Sequence, residues 1–81
     1  MSKAFQVLFF THTGAIKFDR KMKAAGIQCD LMSVPRALSS SCGVSARVVY
    51  TGQLLTLIDE QVEEVYEKHG EDYVQIYAHE E

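Results

Sequence analysis

Two apolar, strand-like stretches of this 81-residue chain are separated by the segment Val34-Pro35-Arg36-Ala37-Leu38-Ser39-Ser40-Ser41-Cys42-Gly43. The segment contains the only proline of the chain, three consecutive serines, and a cysteine followed by glycine. Pro35 fixes its own φ angle and favours extended geometry at Val34, so the preceding strand must end there. Gly43 permits a sharp turn, or the close approach of another molecule to the Cys42 sulfur. These features predict a functional loop between two strands.

The spacing of apolar residues around this loop predicts four strands and two helices. The strands are expected at residues 4–10, 27–32, 44–50 and 73–78, and the helices near residues 14–25 and 54–68. The first helix can be capped by Thr11 or Thr13 and can end at Gly26. The second helix is predicted from apolar residues three or four positions apart, which are Leu55, Ile58, Val62 and Val65.

The element order βαββαβ predicts a single domain over residues 1–81 with a ferredoxin-like α+β sandwich. Such a sandwich has a four-stranded antiparallel sheet with both helices on one face. Strands 1 and 3 are neighbours in that topology, and the loop between strands 2 and 3 lies at the end of the sheet where the first helix begins. We therefore expect His12 to lie near the loop that carries Cys42.

The charges of the chain are distributed unevenly along its length. The net charge is −3, but residues 1–47 carry seven Lys and Arg against two Asp and Glu, whereas residues 48–81 carry one Lys against nine acidic residues. This pattern predicts two helices of complementary charge lying side by side, with docking of a partner as the alternative. A nucleic-acid partner is not expected, because no broad basic face with aromatic residues is evident.

The sequence also limits location and cofactors. No apolar run reaches membrane-spanning length and the N-terminal residues do not resemble a signal peptide, so we expect a cytoplasmic protein without a membrane partner. The two cysteines are then free thiols in a reducing compartment. No Cys-x-x-Cys pair or zinc-like spacing occurs, so no metal and no other resident cofactor is expected. A chain this short buries little surface, so a homo-oligomer could add stability.

Cys42 is the main candidate for chemistry. A free thiol has a pKa of about 8.5, and the N–H groups of a helix N-terminus, an arginine or a protonated histidine lower it. The start of the first helix, Arg36 or Arg47, and His12 could supply these effects. The alternatives are that Cys42 is buried and inert, that Arg36 is a solvated loop charge, and that His12 is a surface turn residue. Cys29, in a predicted strand, is expected to face the core, and the alternative is a resolving role in which it forms a disulfide with Cys42.

The remaining loop residues could shape the surroundings of the Cys42 sulfur, and these are Pro35, Ser39, Ser40, Ser41 and Gly43. Serine hydroxyls and backbone N–H groups can surround an anion, and a thiolate is an anion. No paired carboxylates, phosphate-binding loop or nucleophile elbow accompanies them. The sequence therefore offers one nucleophile and not a complete active site.

Pro35-Arg36 followed by Ser39-Ser40-Ser41-Cys42-Gly43 resembles a family of small bacterial and archaeal domains described as selenium/sulfur carrier-like proteins. The similarity covers roughly residues 5–77. It implies a carrier protein rather than a stand-alone enzyme, with sulfur or selenium held on Cys42 as a transient persulfide or perselenide. It also implies a donor of the cysteine desulfurase type and an acceptor protein as partners.

A second function stays open at this point, that of a non-catalytic ferredoxin-like regulatory or protein-interaction module. Domains of this fold often bind small ligands or pair through their sheets, and the fold alone does not decide between the functions. Leu38, Tyr73 and Tyr77 could then contribute to an interface.

Overall fold

The computed structural model describes residues 2–38 and 43–79, which form one α-helix, a short 3-10 helix and five strands. In chain order the elements are β1 (Lys3–Phe9), α1 (His12–Ala24), β2 (Gln28–Ser33), β3 (Val44–Tyr50), the 3-10 helix Leu54–Thr56, β4 (Val62–His69) and β5 (Asp72–Ala78). The strands form one sheet in the order β2-β3-β1-β4-β5, and all neighbouring pairs are antiparallel.

The central strand β1 forms the main contact between the sheet and the helix. Phe5, Val7 and Phe9 are buried in the core cluster, together with Ala15, Phe18 and Met22 of α1. The rings of Phe9 and Phe18 have centroids 5.2 Å apart and are tilted by 58°, a favourable arrangement for two aromatic rings. α1 therefore covers one face of the sheet.

Both ends of α1 follow from local chemistry. Thr11 is in extended geometry, and its Oγ1 accepts a hydrogen bond from the Gly14 backbone N–H at 3.0 Å. This bond satisfies one of the free N–H groups of the first turn. Gly26 follows the helix with a φ angle of +76°, which glycine adopts without steric cost. Of the two predicted capping residues, Thr11 is the N-cap and Thr13 lies inside the helix, and the predicted stop at Gly26 is confirmed.

The expected ferredoxin-like sandwich is correct in part. The mixed α+β class, the antiparallel sheet and the neighbouring positions of β1 and β3 are confirmed. The prediction of four strands and two helices is wrong, because the described residues form five strands and one α-helix. The helix predicted near residues 54–68 is replaced by the 3-10 helix Leu54–Thr56 and by β4.

A β-bulge explains why the sequence of β4 looked helical. Leu8 of β1 pairs with Glu64, but its neighbour Phe9 pairs with Val62, so β4 contains one extra residue at this point. The extra residue turns Val62 and Val65 to the same face although they are three positions apart, and both are fully buried. A strand with a bulge thus reproduces the spacing of three that normally indicates a helix.

The expected pairing of two charged helices is also wrong, because the acidic residues at positions 59, 60, 63, 64 and 67 lie on β4 and in the segment before it. One basic residue of α1 does reach this segment: Lys21 donates from Nζ to the Leu57 carbonyl oxygen at 2.8 Å. On β4, Glu67 instead pairs with Lys3 at 3.0 Å and with His69 at 2.9 Å. Such exposed ion pairs contribute little to stability.

A buried polar pair lies on the sheet face opposite α1. Gln6 of β1 is 3% exposed, Ser45 of β3 is fully buried, and Gln6 Nε2 donates to Ser45 Oγ at 2.6 Å. The Ser45 hydroxyl in turn donates toward the carbonyl oxygens of Ser33 at 3.2 Å and Met32 at 3.4 Å. The Ser45 side chain therefore links β3 by hydrogen bonds to β1 and to the last residues of β2, where the loop leaves the sheet.

We predict that Ser45→Ala lowers the free energy of unfolding by about 1–2 kcal/mol, because it leaves the buried Gln6 amide and two carbonyl groups without this partner. Urea unfolding followed by circular dichroism measures the change. Ser33→Ala is the matched control, because the Ser33 side chain is exposed and only its carbonyl takes part. We expect a cost under about 0.5 kcal/mol for the control. Equal stabilities of the two variants would contradict the assigned role of Ser45.

Candidate functional site

The loop between β2 and β3 starts and ends at one end of the sheet. Ser33, the last residue of β2, pairs with Val44, the first residue of β3. β1 ends and α1 begins at this same end, since Leu8 pairs with Ser45. The attachment points of the loop therefore lie at the end of the sheet where His12 begins the helix.

The central part of the predicted site lies outside the described residues. This part consists of Ser39, Ser40, Ser41 and Cys42. The contact between Cys42 and His12 consequently stays a prediction. His12 itself is an exposed residue in the first turn of α1.

The described parts of the loop show a turn at its start and a left-handed residue at its end. The Leu38 N–H donates to the Pro35 carbonyl oxygen at 3.0 Å, and Arg36 is exposed within this turn. Gly43 has a φ angle of +72°, and a Cβ atom placed there would meet no atom of the described residues within 4 Å. Glycine is therefore favoured here by backbone conformation and not by close packing.

Cys29 lies in the hydrophobic core on β2 and is only 3% exposed. Burial, followed by the neighbouring Asp19 carboxylate, raises the pKa of the Cys29 thiol to about 12. Asp19 Oδ2 is itself paired with Lys23 Nζ at 2.9 Å. The predicted core position of Cys29 is confirmed, and its thiol stays protonated at neutral pH.

A concavity of about 320 Å³ lies on the sheet face opposite α1. We call it the open-face pocket, and its side chains include Gln6, Met32, Pro35, Arg47, Lys68 and Tyr73. Pro35 brings the start of the loop against this face of the sheet. Sequence reasoning missed the pocket because it placed Lys68 at the end of a helix, and only the strand register brings Lys68 to the same face as Arg47.

The open-face pocket has two cationic side chains and no acidic one. Among the described residues, neither Arg47 nor Lys68 has a carboxylate oxygen within 4.0 Å. Asp30 is opposite Arg47 in the β2–β3 register but does not line the pocket. The local charge is therefore positive, in a protein whose net charge is −3.

The described residues include neither a metal-binding cluster nor a helix that could cross a membrane. Within residues 2–38 and 43–79, no three His, Cys, Asp or Glu side chains are grouped so that they could hold a metal ion. In the same ranges, no helix combines the length and the apolar character needed to cross a membrane.

Comparison with known proteins assigns the chain to a family. A family model described as "Putative Se/S carrier protein-like" matches residues 5–78, a range that includes the whole loop between β2 and β3. No curated protein and no solved structure matches the chain. Because the family model spans nearly the entire sequence, this chain belongs to the Se/S carrier protein-like family.

Proposed function

We propose that this protein carries sulfur or selenium on Cys42, as a persulfide or perselenide, and passes it to an acceptor protein. The match to the Se/S carrier family over residues 5–78 is the observation that carries the proposal. The state of Cys29 supports it, because burial and a raised pKa remove that thiol from chemistry at neutral pH. Cys42 is the other cysteine of the sequence.

Loading would proceed by thiol exchange. The Cys42 thiolate attacks the outer sulfur of a persulfide on a donor enzyme of the cysteine desulfurase type. A new S–S bond forms at Cys42 while the S–S bond of the donor breaks, and its electron pair leaves with the donor cysteine as a thiolate. The exchange needs no external oxidant or reductant. With selenium, the thiolate attacks the outer selenium atom of a donor perselenide in the same way.

The nearby residues have proposed roles that suit an anionic cargo. Arg36 is exposed at the start of the loop, and among the described residues no carboxylate lies within 4.0 Å of it. Its guanidinium can therefore attract a thiolate or persulfide anion. His12 and the serines Ser39, Ser40 and Ser41 would add hydrogen bonds, and donor and acceptor would supply the remaining catalytic groups.

We predict that the native protein has one reactive thiol, with a pKa below the ordinary value of about 8.5. The rate of alkylation by iodoacetamide, measured across pH, gives this pKa. Cys42→Ser should remove the fast reaction. Cys29 should react only after denaturation, because its thiol is buried and its pKa is raised to about 12. A fast thiol of ordinary pKa would favour the interaction module instead.

We predict that incubation with a cysteine desulfurase and cysteine adds the mass of one sulfur atom to the protein, and that dithiothreitol removes it. Intact-protein mass spectrometry measures the gain, and selenocysteine as the desulfurase substrate tests selenium. Cys42→Ser should abolish the gain because an alcohol cannot form a persulfide. Cys29→Ser is the matched control and should load fully, at a cost of about 1 kcal/mol in stability. Loading of the Cys42→Ser variant, or no loading of the wild type, would refute the carrier function.

We predict that Arg36→Ala slows loading several-fold while the free energy of unfolding changes by less than about 0.5 kcal/mol, since an exposed loop charge contributes little to stability. The loading rate from the same donor provides the measurement. Arg20→Ala removes an equal charge from an exposed position on α1 and should load at the wild-type rate. Equal slowing of both variants would show an effect of net charge and not of Arg36.

A further inference from the structure

We propose that the open-face pocket binds a small oxyanion, a molecule with a carboxylate or phosphate group, between Arg47 and Lys68. This binding site goes beyond the carrier function, because it requires neither Cys42 nor any transfer of sulfur. The pocket volume of about 320 Å³ is at the lower end of the range for small-molecule sites, so the ligand must be small.

The strand register brings the two cations to one face. Arg47 of β3 pairs with Gln6 of β1, and Gln6 pairs with Tyr66 of β4. Lys68 follows Tyr66 by two residues and therefore shares its face, where it pairs with Tyr73 of β5. Side chains from both outer parts of the sheet consequently meet over the central strand at Gln6.

The electrostatics of the pocket favour an anion. Its lining contains two cations and no carboxylate, and neither cation has an ion-pair partner among the described residues. Two carboxylates on this sheet face lie outside the lining: Glu64 accepts from the Tyr66 hydroxyl at 3.2 Å, and Asp30 is the cross-strand partner of Arg47 but forms no ion pair with it. An arginine offers a planar fork of donors and a lysine a compact charge, a combination suited to carboxylate and phosphate oxygens.

The floor of the pocket is held in one orientation. The Ser45 hydroxyl gives its single hydrogen to the carbonyl groups at the end of β2, so it must accept from Gln6. This fixes Nε2 of the Gln6 amide toward Ser45. Because Gln6 is 3% exposed and hydrogen-bonded to Ser45, its side chain forms a polar floor of fixed orientation beneath the pocket.

The walls are suited to the carbon part of a small ligand. Met32 and Pro35 contribute apolar surface on one side, and the partly buried Tyr73 contributes an aromatic ring on the other. An occupant would also contact Pro35, and hence the beginning of the loop that carries Cys42. A small organic anion therefore matches the pocket in charge, size and apolar surface.

Titration of the ¹⁵N-labelled full-length protein at low ionic strength tests this proposal. The probes are inorganic phosphate and N-acetylalanine, whose separate arms distinguish a phosphate group from a carboxylate. We expect saturable shifts of the Gln6 side-chain amide and of the Met32, Arg47 and Tyr73 backbone signals for at least one probe. Added salt should weaken the binding. If neither probe gives saturable shifts at these residues, or if the shifts are largest on α1, the proposal is overturned.

Substitutions identify the two cations as the binding groups. Arg47→Gln and Lys68→Gln should each weaken binding about tenfold or more, while Arg47→Lys and Lys68→Arg should restore much of it. Arg20→Gln removes the same charge from α1 and should bind as the wild type does, and circular dichroism confirms that each variant is folded. Wild-type affinity of the two pocket variants would overturn the site. Cys42→Ser should bind normally, so failure of this site and failure of the carrier function are distinguishable.

Discussion

Burial of β1 on both of its faces is the constraint that governs this fold. One face, with Phe5, Val7 and Phe9, packs against α1. The other face has no helix among the described residues, yet Gln6 is 3% exposed and Leu8 is fully buried there. The Gln6–Ser45 hydrogen bond makes burial of an amide on this face tolerable, because a buried polar group without a partner is costly. The loop start at Pro35 lies against the same face, so the segment between β2 and β3 contributes to the structure as well as to the candidate site.

Contacts of Ser45 and Val44 also hold the two ends of the loop that carries the candidate site. Ser45 is bonded to the last carbonyl groups of β2, and Val44 pairs with Ser33, so both attachment points of the loop are held by the sheet. Cys42 is only two residues before Val44 in the sequence. The proposed cargo would therefore stay close to the end of the sheet. A carrier needs such an arrangement, because its thiol must reach the active site of another protein without unfolding of the domain.

The sequence predicted the structure correctly where a local rule determines the conformation. It was misleading where the conformation depends on pairing with a neighbouring strand. Capping predicted Thr11, backbone freedom predicted Gly26, and the alternation of apolar residues predicted the strand over residues 44–50. The structure confirms all three, although Ser45 is buried next to Ala46 and interrupts the alternation of burial. The spacing of Val62 and Val65 was misleading because it results from a bulge in the pairing of β4 with β1. The sequence of β4 alone does not reveal this bulge. Gln6 and Ser45 lie 39 positions apart, so their hydrogen bond depends on register. The open-face pocket was missed for the same reason, since it requires Lys68 to be on a strand.

The two cysteines have to differ in reactivity if Cys42 is to hold a persulfide. A second nucleophilic thiol within reach could attack the inner sulfur of that persulfide, form a disulfide and expel the cargo as sulfide. Burial and the Asp19 carboxylate raise the pKa of the Cys29 thiol to about 12, so this thiol stays protonated at pH 7. The attacking species is the thiolate, and it would also have to leave the core cluster before it could react. If Cys42 carries sulfur or selenium, the buried position of Cys29 beside Asp19 would protect that cargo as well as fill the core, because only one thiol would then be available.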